Sequence, residues 1–343
     1  MKKLILLLIV LNLHNCFNYL YHVSSEQIRI LLSRRLISEV LKEDKDSERI
    51  VKLNLIIKVR EFAIQSLHLN EKGGFLYYAE LPREELGWNV SASYPLKFES
   101  YTWWFPVAGR VPYKGFFDYE KAKEEEKYLI EKGFDTKVRI TAGYSTLGWF
   151  SDPVFSSQLK LKEDELVALV IHELSHSTVY FPGDSNFNES YASFIEETGT
   201  ELFYKKFNSN EWDLVLEKRK KYKQESELIL TEVKKTADEL KKLYEETNLT
   251  DSFKYIKKKE IIDDYKNRII SKKSFFRKFD EVKFKNQKLN NENFIGILRY
   301  HSGQKFFKDK LDSLNNDFEK FHKEMEKLIQ LSKEEREKLL LQG

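Results

Sequence analysis

Turn-forming residues are scarce in this 343-residue chain, which holds only 13 glycines and 6 prolines. A many-stranded β protein needs both for its turns, so that class is disfavoured. With 25 Phe and 18 Tyr in their place, the composition predicts a helix-rich body around an aromatic core. There is one cysteine, Cys16, which excludes an internal disulfide and a thiolate zinc cluster. A strong charge of either sign is missing too. The 58 basic side chains face 55 acidic ones, a net charge of +3, so no nucleic acid partner is expected. What is abundant excludes disorder: 41% of residues are hydrophobic and 33% are charged.

The chain opens MKKLILLLIVLNLHNC. Lys2 and Lys3 precede an apolar run over 4–13 that is too short to span a bilayer comfortably but fits a secretory signal. A cysteine directly after such a run resembles the lipobox of bacterial lipoproteins, in which the signal is removed and the new N-terminal cysteine is lipidated. Asn15 departs from the small residue usual before that cysteine, so ordinary signal cleavage and an uncleaved helix stay open beside lipidation. The expected organisation is a signal over 1–15, a core over 16–205, and a mainly helical region over 206–343 that packs back on the core.

Helical spacing of apolar residues predicts helices over 26–42 and 49–66, with KEDKDSE as the turn between them. Residues 74–117 are aromatic, β-branched and interrupted by Gly and Pro, and predict short strands and loops. A helix follows over 118–133, then a strand over 137–146. Glu163, Asp164 and Glu165 mark a helix start that leads into LVALVIHELSHSTVYF. Beyond about residue 205, two stripes follow alternating steps of three and four. One runs Leu230, Val233, Ala237, Leu240 and Tyr244. The other runs from Phe307 through Leu311, Leu314, Phe318, Phe321 and Met325 to Leu328. They predict a helical hairpin or arm packing on itself in preference to a coiled coil with a partner.

IHELSH, at 171–176, carries the chemistry. Residues four apart in a helix share a face, so His172 and His176 present two imidazoles to one point. Glu173 lies one residue round, within reach of a water at that point. Such a pair suits zinc, which takes neutral nitrogen and carboxylate oxygen at about 2.0–2.2 Å and in catalytic sites keeps a position for water. With 7 histidines, a chance H-E-x-x-H has a probability on the order of one percent. A third ligand is required. In FNESYASFIEETG, Asn188 is placed to cap a helix with Glu189 in its first turn, and Pro182 and Gly183 let the chain reverse before it. Glu189 therefore ranks first as ligand. Glu196, seven residues on and on the same face, is the runner-up, or the carboxylate that orients a ligand histidine, and Asn188 is grouped with these supporting residues. Glu197 and Glu201 compete for either role, with solvated surface as their default. One zinc ion per chain is expected.

HELSH followed by FNESYASFIEETG is similar to a bacterial family of predicted zinc aminopeptidase lipoproteins of the gluzincin type. WWFPVAGRVPYKGFFD (103–118), AGYSTLGWFSDPVFSSQL (142–159) and LNNENFIGILRY (289–300) resemble further blocks of that family. The resemblance is close over 16–205 and patchy beyond. It implies an α+β, zincin-like core: a mixed sheet before two zinc-ligand helices. It also implies an edge strand at 140–147, with Gly143, Tyr144 and Ser145, along which an extended peptide could hydrogen-bond. In the implied reaction Glu173 takes a proton from water and the proton passes to the leaving amine. Tyr300, in the late block, is the first candidate for the oxyanion donor, with Tyr144 and Tyr191 behind it. Aminopeptidase activity comes from the resemblance alone. An exopeptidase must also hold the substrate ammonium, for which Glu196, Glu197 or Asp152 could serve. A zinc endopeptidase stays open, and so does a non-enzymatic surface lipoprotein that binds a partner through its arm. Secretion and the balanced surface place the mature protein in the cell envelope, tethered to a membrane by lipid if Cys16 is processed.

Overall fold

The helix that carries HELSH begins where its acidic first turn predicts. In the computed structural model, which describes residues 19, 22–105, 108–141, 151–207 and 212–341, it spans Glu163–His176. The Glu165 carboxylate accepts from the Lys162 backbone N–H at 3.1 Å, fixing the start of the helix. Thirteen helices occur among the described residues. They are α1 (22–33), α2 (Ile37–Glu43), α3 (Ser47–Leu67), α4 (Tyr119–Glu131), α5 (Glu163–His176), α6 (Ser185–Phe207), α7 (Trp212–Glu245), α8 (Asp251–Ser271), α9 (Glu281–Asn286), α10 (Asn291–His301), α11 (Gln304–Ser313), α12 (Phe318–Lys327) and α13 (Lys333–Leu341). The class is a helix-rich α+β fold with small sheets. No described helix is long and apolar enough to cross a membrane.

The strands are β1 (Arg35–Leu36), β2 (Tyr77–Ala79), β3 (Trp88–Ser93), β4 (Trp103–Phe105), β5 (Gly109–Val111), β6 (Tyr113–Phe116), β7 (Asp135–Ile140) and β8 (Val154–Phe155). Where one mixed sheet was expected, the described strands divide among three. One is mixed, in the order β1-β2-β8; one is antiparallel, β6-β3-β7; and one is the β4-β5 hairpin. The helix expected over 26–42 is interrupted. Arg35 and Leu36 pair with Tyr78 and Tyr77, and the Ile37 N–H donates to the Leu76 carbonyl, so the chain leaves the helix to complete a sheet edge.

The core lies between α3, α5 and α6. Leu53, Ile56, Val59 and Leu67 meet Leu166, Val170, Ile171 and Leu174, with Phe187, Tyr191 and Ile195 closing the third side. Gly199 allows the close crossing. A Cβ there would stand 2.6 Å from Leu67 Cδ1 and 3.1 Å from Ile171 Cγ2. The second heptad stripe also belongs to this core. It is not one helix, because Asn315 and Asn316, both at positive φ, turn the chain between α11 and α12. Asn tolerates that conformation better than other non-glycine residues. Phe307, Leu311, Phe318, Phe321 and Met325 consequently fold onto Phe187, Tyr191 and Phe194. From the first stripe, Val233 and Leu240 of α7 pack on Ile262, Tyr265 and Ile269 of α8 and on Phe294 of α10. The two long helices run antiparallel, as ion pairs Glu232–Arg268 and Arg277–Glu225 show.

Two buried polar contacts tie the C-terminal helices to those below them. Arg336 of α13 donates through Nε to Asp184 Oδ2 at 2.7 Å, just before α6, and through Nη1 to the Leu328 and Leu331 carbonyls. His322 of α12 accepts from the Tyr191 hydroxyl at Nδ1 and donates from Nε2 to the Leu67 carbonyl, both at 2.8 Å. The neutral ring satisfies both partners, whereas a second ring proton would face the hydroxyl that now donates. Burial accordingly pushes the His322 pKa down from 6.5 to about 4, the Leu67 carbonyl opposing and His68 adding. A histidine with a depressed folded-state value stabilises the fold above its unfolded value and loses that contribution as pH falls. Between pH 6.5 and 4 the wild type should therefore lose about 3 kcal/mol more stability than His322→Gln. Urea unfolding of both proteins across that range measures the difference.

Candidate metal centre

α6 reverses against α5 through Pro182 and Gly183, the latter at φ +81°, a conformation that suits glycine. The helix starts earlier than FNES suggested. It begins at Ser185, where Asp184 Oδ1 accepts from the Phe187 N–H. Asn188 is thus no cap, and its amide does not support a ligand: it accepts from the Phe181 N–H at 2.8 Å and donates to the Phe181 carbonyl at 2.9 Å. That clamp holds the turn and sets the rotation of α6, so the neighbouring Glu189 points at α5.

His172 and His176 stack edge to face with ring centroids 4.9 Å apart. Glu189 Oε2 stands 3.5 Å from His172 Nε2 and 3.8 Å from His176 Nε2. One ligand atom from each of the three residues falls within a 4.8 Å cluster. Tetrahedral zinc with bonds of about 2.0–2.2 Å separates its ligand atoms by about 3.3–3.6 Å. The donor set and its spacing thus fit a divalent cation. The Glu196 carboxylate accepts from His172 Nδ1 at 2.9 Å, which leaves Nε2 as the ring atom that faces Glu189 and the second histidine. Glu189 is thus the carboxylate that joins the two histidines in the candidate group, while Glu196 contacts the far nitrogen of His172. His176 Nδ1 has no partner among the described residues.

The charges agree with a cation-binding arrangement. Burial opposes a charged His172, but the Glu189 and Glu196 carboxylates outweigh it and hold its pKa well above the ordinary value. Burial drives His176 the other way, to about 4. Burial also works against the Glu189 carboxylate, and the two histidines overcome it, keeping Glu189 below its ordinary value. Glu173 does not join the ligand group. Burial pushes its pKa up to about 7, with His172 opposing and Glu189, Asp152 and Glu196 adding. A carboxylate with that value exchanges protons near neutral pH.

Three tyrosines surround Glu189. Tyr300 lies on α10, whose neighbouring Arg299 carbonyl accepts from the Ser190 hydroxyl of α6. Burial, with Glu189 and Glu173 nearby, keeps the Tyr300 hydroxyl protonated far above neutral pH. The Tyr113 hydroxyl approaches Glu189 Oε1 at 3.5 Å, and Tyr180, its pKa raised by burial to about 12, also feels Glu189. All three line one cavity of about 2080 Å³ together with His172, Glu173 and His301. Nothing in the sequence separates Tyr113, Tyr180 and His301 from other residues of their kind, although Tyr113 lies in the VPYKGFFD block. Tyr191 is elsewhere, committed to His322. Glu197 pairs with Lys223 at 2.6 Å, while Glu201 lines the cavity. Asp152 is buried, within electrostatic reach of Glu173. Gly143, Tyr144, Ser145 and Cys16 lie outside the described residues. Of the expected edge segment, Ile140 and Thr141 are described, and both line the cavity.

Replacing Glu196 by alanine removes the carboxylate that orients His172 and leaves all three candidate ligands in place. Metal affinity should fall by about 10–100-fold. Competition with a zinc-chelating dye gives the measurement.

A family model described as "Putative aminopeptidase" matches residues 18–340. The match continues well past 205, where the resemblance read from the sequence thins out, and takes in α7 to α12 and most of α13. No curated protein and no solved structure matches the chain.

Proposed function

The chain belongs to this aminopeptidase family, and from that premise we propose that it is a zinc-dependent peptidase acting from the N-terminus of its substrates. The observation that carries the reading is the convergence of His172, His176 and Glu189 on one point, with the half-buried Glu173 beside it and outside the ligand set. A structural metal site has no use for such a carboxylate. Zinc held by these three residues would supply Lewis acidity to a scissile carbonyl and to water. Glu173 accepts the proton of the attacking water and returns it to the departing amine. Glu196 keeps His172 in the tautomer that offers Nε2. Tyr300, protonated and facing the cavity, donates to the developing oxyanion. The zincin-like architecture is proposed on the same footing, with α5 and α6 as the ligand helices and residues 16–205 as the core. So are the α7–α8 arm and a cell-envelope location reached by a signal over 1–15 and lipid on Cys16. Mass spectrometry of the mature N-terminus checks the last point, and a terminus that retains Lys2 removes it.

The activity is tested with aminoacyl reporters and with peptides blocked at the N-terminus, each before and after metal removal. Chelator-sensitive release from the free reporters but not from the blocked peptides is the expected result. Cleavage of internal bonds in blocked peptides would make the enzyme an endopeptidase. Turnover that survives complete metal removal would overturn the metal-dependent reading.

A further inference from the structure

The sheet that floors the cavity carries a polar pair that the hydrolytic chemistry does not use. Antiparallel pairing sets Gly115 of β6, Asn89 of β3 and Arg139 of β7 in one row, so their positions share a face of the sheet. Tyr113, two residues before Gly115, shares that face too, and its hydroxyl approaches Glu189. The face therefore looks towards the candidate ligands. A Cβ on Gly115 would stand 3.4 Å from Asn89 Oδ1, so glycine leaves the amide its room. Arg139 Nη1 lies 3.6 Å from where a Cβ on Gly296 would be. Gly296 and Tyr300 are four residues apart on α10, which puts this guanidinium about one helical turn from Tyr300. Asn89 and Arg139 line the same cavity as His172, Glu173, Glu189 and Tyr300.

A half-buried guanidinium ordinarily has a carboxylate partner. Among the described residues, no ion pair or hydrogen bond engages the Arg139 side chain. Glu292, which feels its charge, is paired instead with the buried Arg299 at 3.4 Å. Arg139 thus brings into the cavity a positive fork uncommitted among the described residues, with a side-chain amide in the next strand.

We propose that Arg139, with Asn89 beside it, binds the free α-carboxylate of a short peptide on the leaving-group side of the scissile bond. This rests on the peptidase reading and adds to it a substrate class: short peptides with an unblocked C-terminus. The planar guanidinium matches both oxygens of a carboxylate, and the Asn89 amide supplies a further N–H. An internal peptide carbonyl offers one neutral oxygen and leaves the guanidinium without a counter-charge.

Trialanine and trialanine amide separate these cases. Binding is measured by calorimetry on the full chain carrying Glu173→Gln, which removes turnover, with Arg139 intact, with Arg139→Gln and with Arg139→Lys. Trialanine should bind about tenfold or more tightly than the amide when Arg139 is present. Arg139→Gln should bring the two within about twofold, and Arg139→Lys should keep part of the preference, since lysine retains the charge without the fork. Both peptides titrate the same sample, so a partly unfolded variant does not change the ratio. Equal binding of acid and amide with Arg139 intact, a preference undiminished in Arg139→Gln, or no trialanine binding at millimolar concentration would each overturn the proposal. Hydrolysis by the unsubstituted chain is read separately. If neither peptide is cleaved but the acid binds preferentially, the peptidase reading fails and the carboxylate site stands. If both are cleaved with equal kcat/KM, the carboxylate site fails and the peptidase reading stands.

Discussion

Glu173→Gln should lower kcat by about 10²–10⁴-fold while the bound zinc stays at one ion per chain. Glutamine keeps the shape of the side chain but cannot accept a proton. Glu173 also lies outside the cluster formed by His172, His176 and Glu189, so its replacement removes a base and leaves the ligands. Metal analysis beside steady-state kinetics on the same preparation checks both halves. The outcome separates an enzyme from a binding protein. Unchanged biological activity in the variant would favour a partner-binding role, and lost activity with zinc retained would exclude that role. An altered metal content would show instead that Glu173 is itself a ligand.

The second large effect is expected at Glu189. Glu189→Ala removes the carboxylate that stands 3.5 and 3.8 Å from the two imidazole Nε2 atoms. It leaves two histidines on one helix, which are two ligands where zinc takes at least three from the protein. Zinc affinity should fall by more than about 100-fold, the upper limit for losing only an orienting contact. Hydrolysis should fall to background at any zinc concentration that does not inhibit the wild type. The comparison with Glu196→Ala is informative because both are carboxylates on α6 facing His172. If the two variants lost metal equally, the division between ligand and orienting residue would be wrong. If Glu196→Ala lost more, the assignments would exchange.

The site was legible in the sequence where its geometry is local. His172 and His176 come together because an α-helix repeats every 3.6 residues, and Glu196 follows Glu189 by two turns of the same helix. The third candidate ligand needed only a turn between two helices, which Pro182 and Gly183 signal. The start of α6 was misplaced because two good cap formers, Asp184 and Asn188, lie one turn apart. Tertiary packing gave the cap to the first and turned the second against Phe181. The break at Arg35–Leu36 was hidden for a related reason. The apolar spacing runs on through it, and only a distant strand at Tyr77–Tyr78 interrupts the helix. In the second C-terminal stripe the period persists across Asn315 and Asn316, so spacing alone does not show where the backbone turns. Tyr113, Tyr180 and Arg139 gave no local signal. They reach the cavity from separate strands and loops, and pairings such as Asn89 with Arg139 span fifty residues.

The contact between Arg336 and Asp184 bears on when the protein becomes competent. Asp184 holds the first turn of α6, which aims Glu189, and its buried partner Arg336 lies 152 residues further along the sequence. A ribosome adds that partner long after both histidines have emerged. A nascent polypeptide that has not yet reached Arg336 therefore lacks the buttress behind its third candidate ligand, and hydrolytic power would wait for α13 to dock.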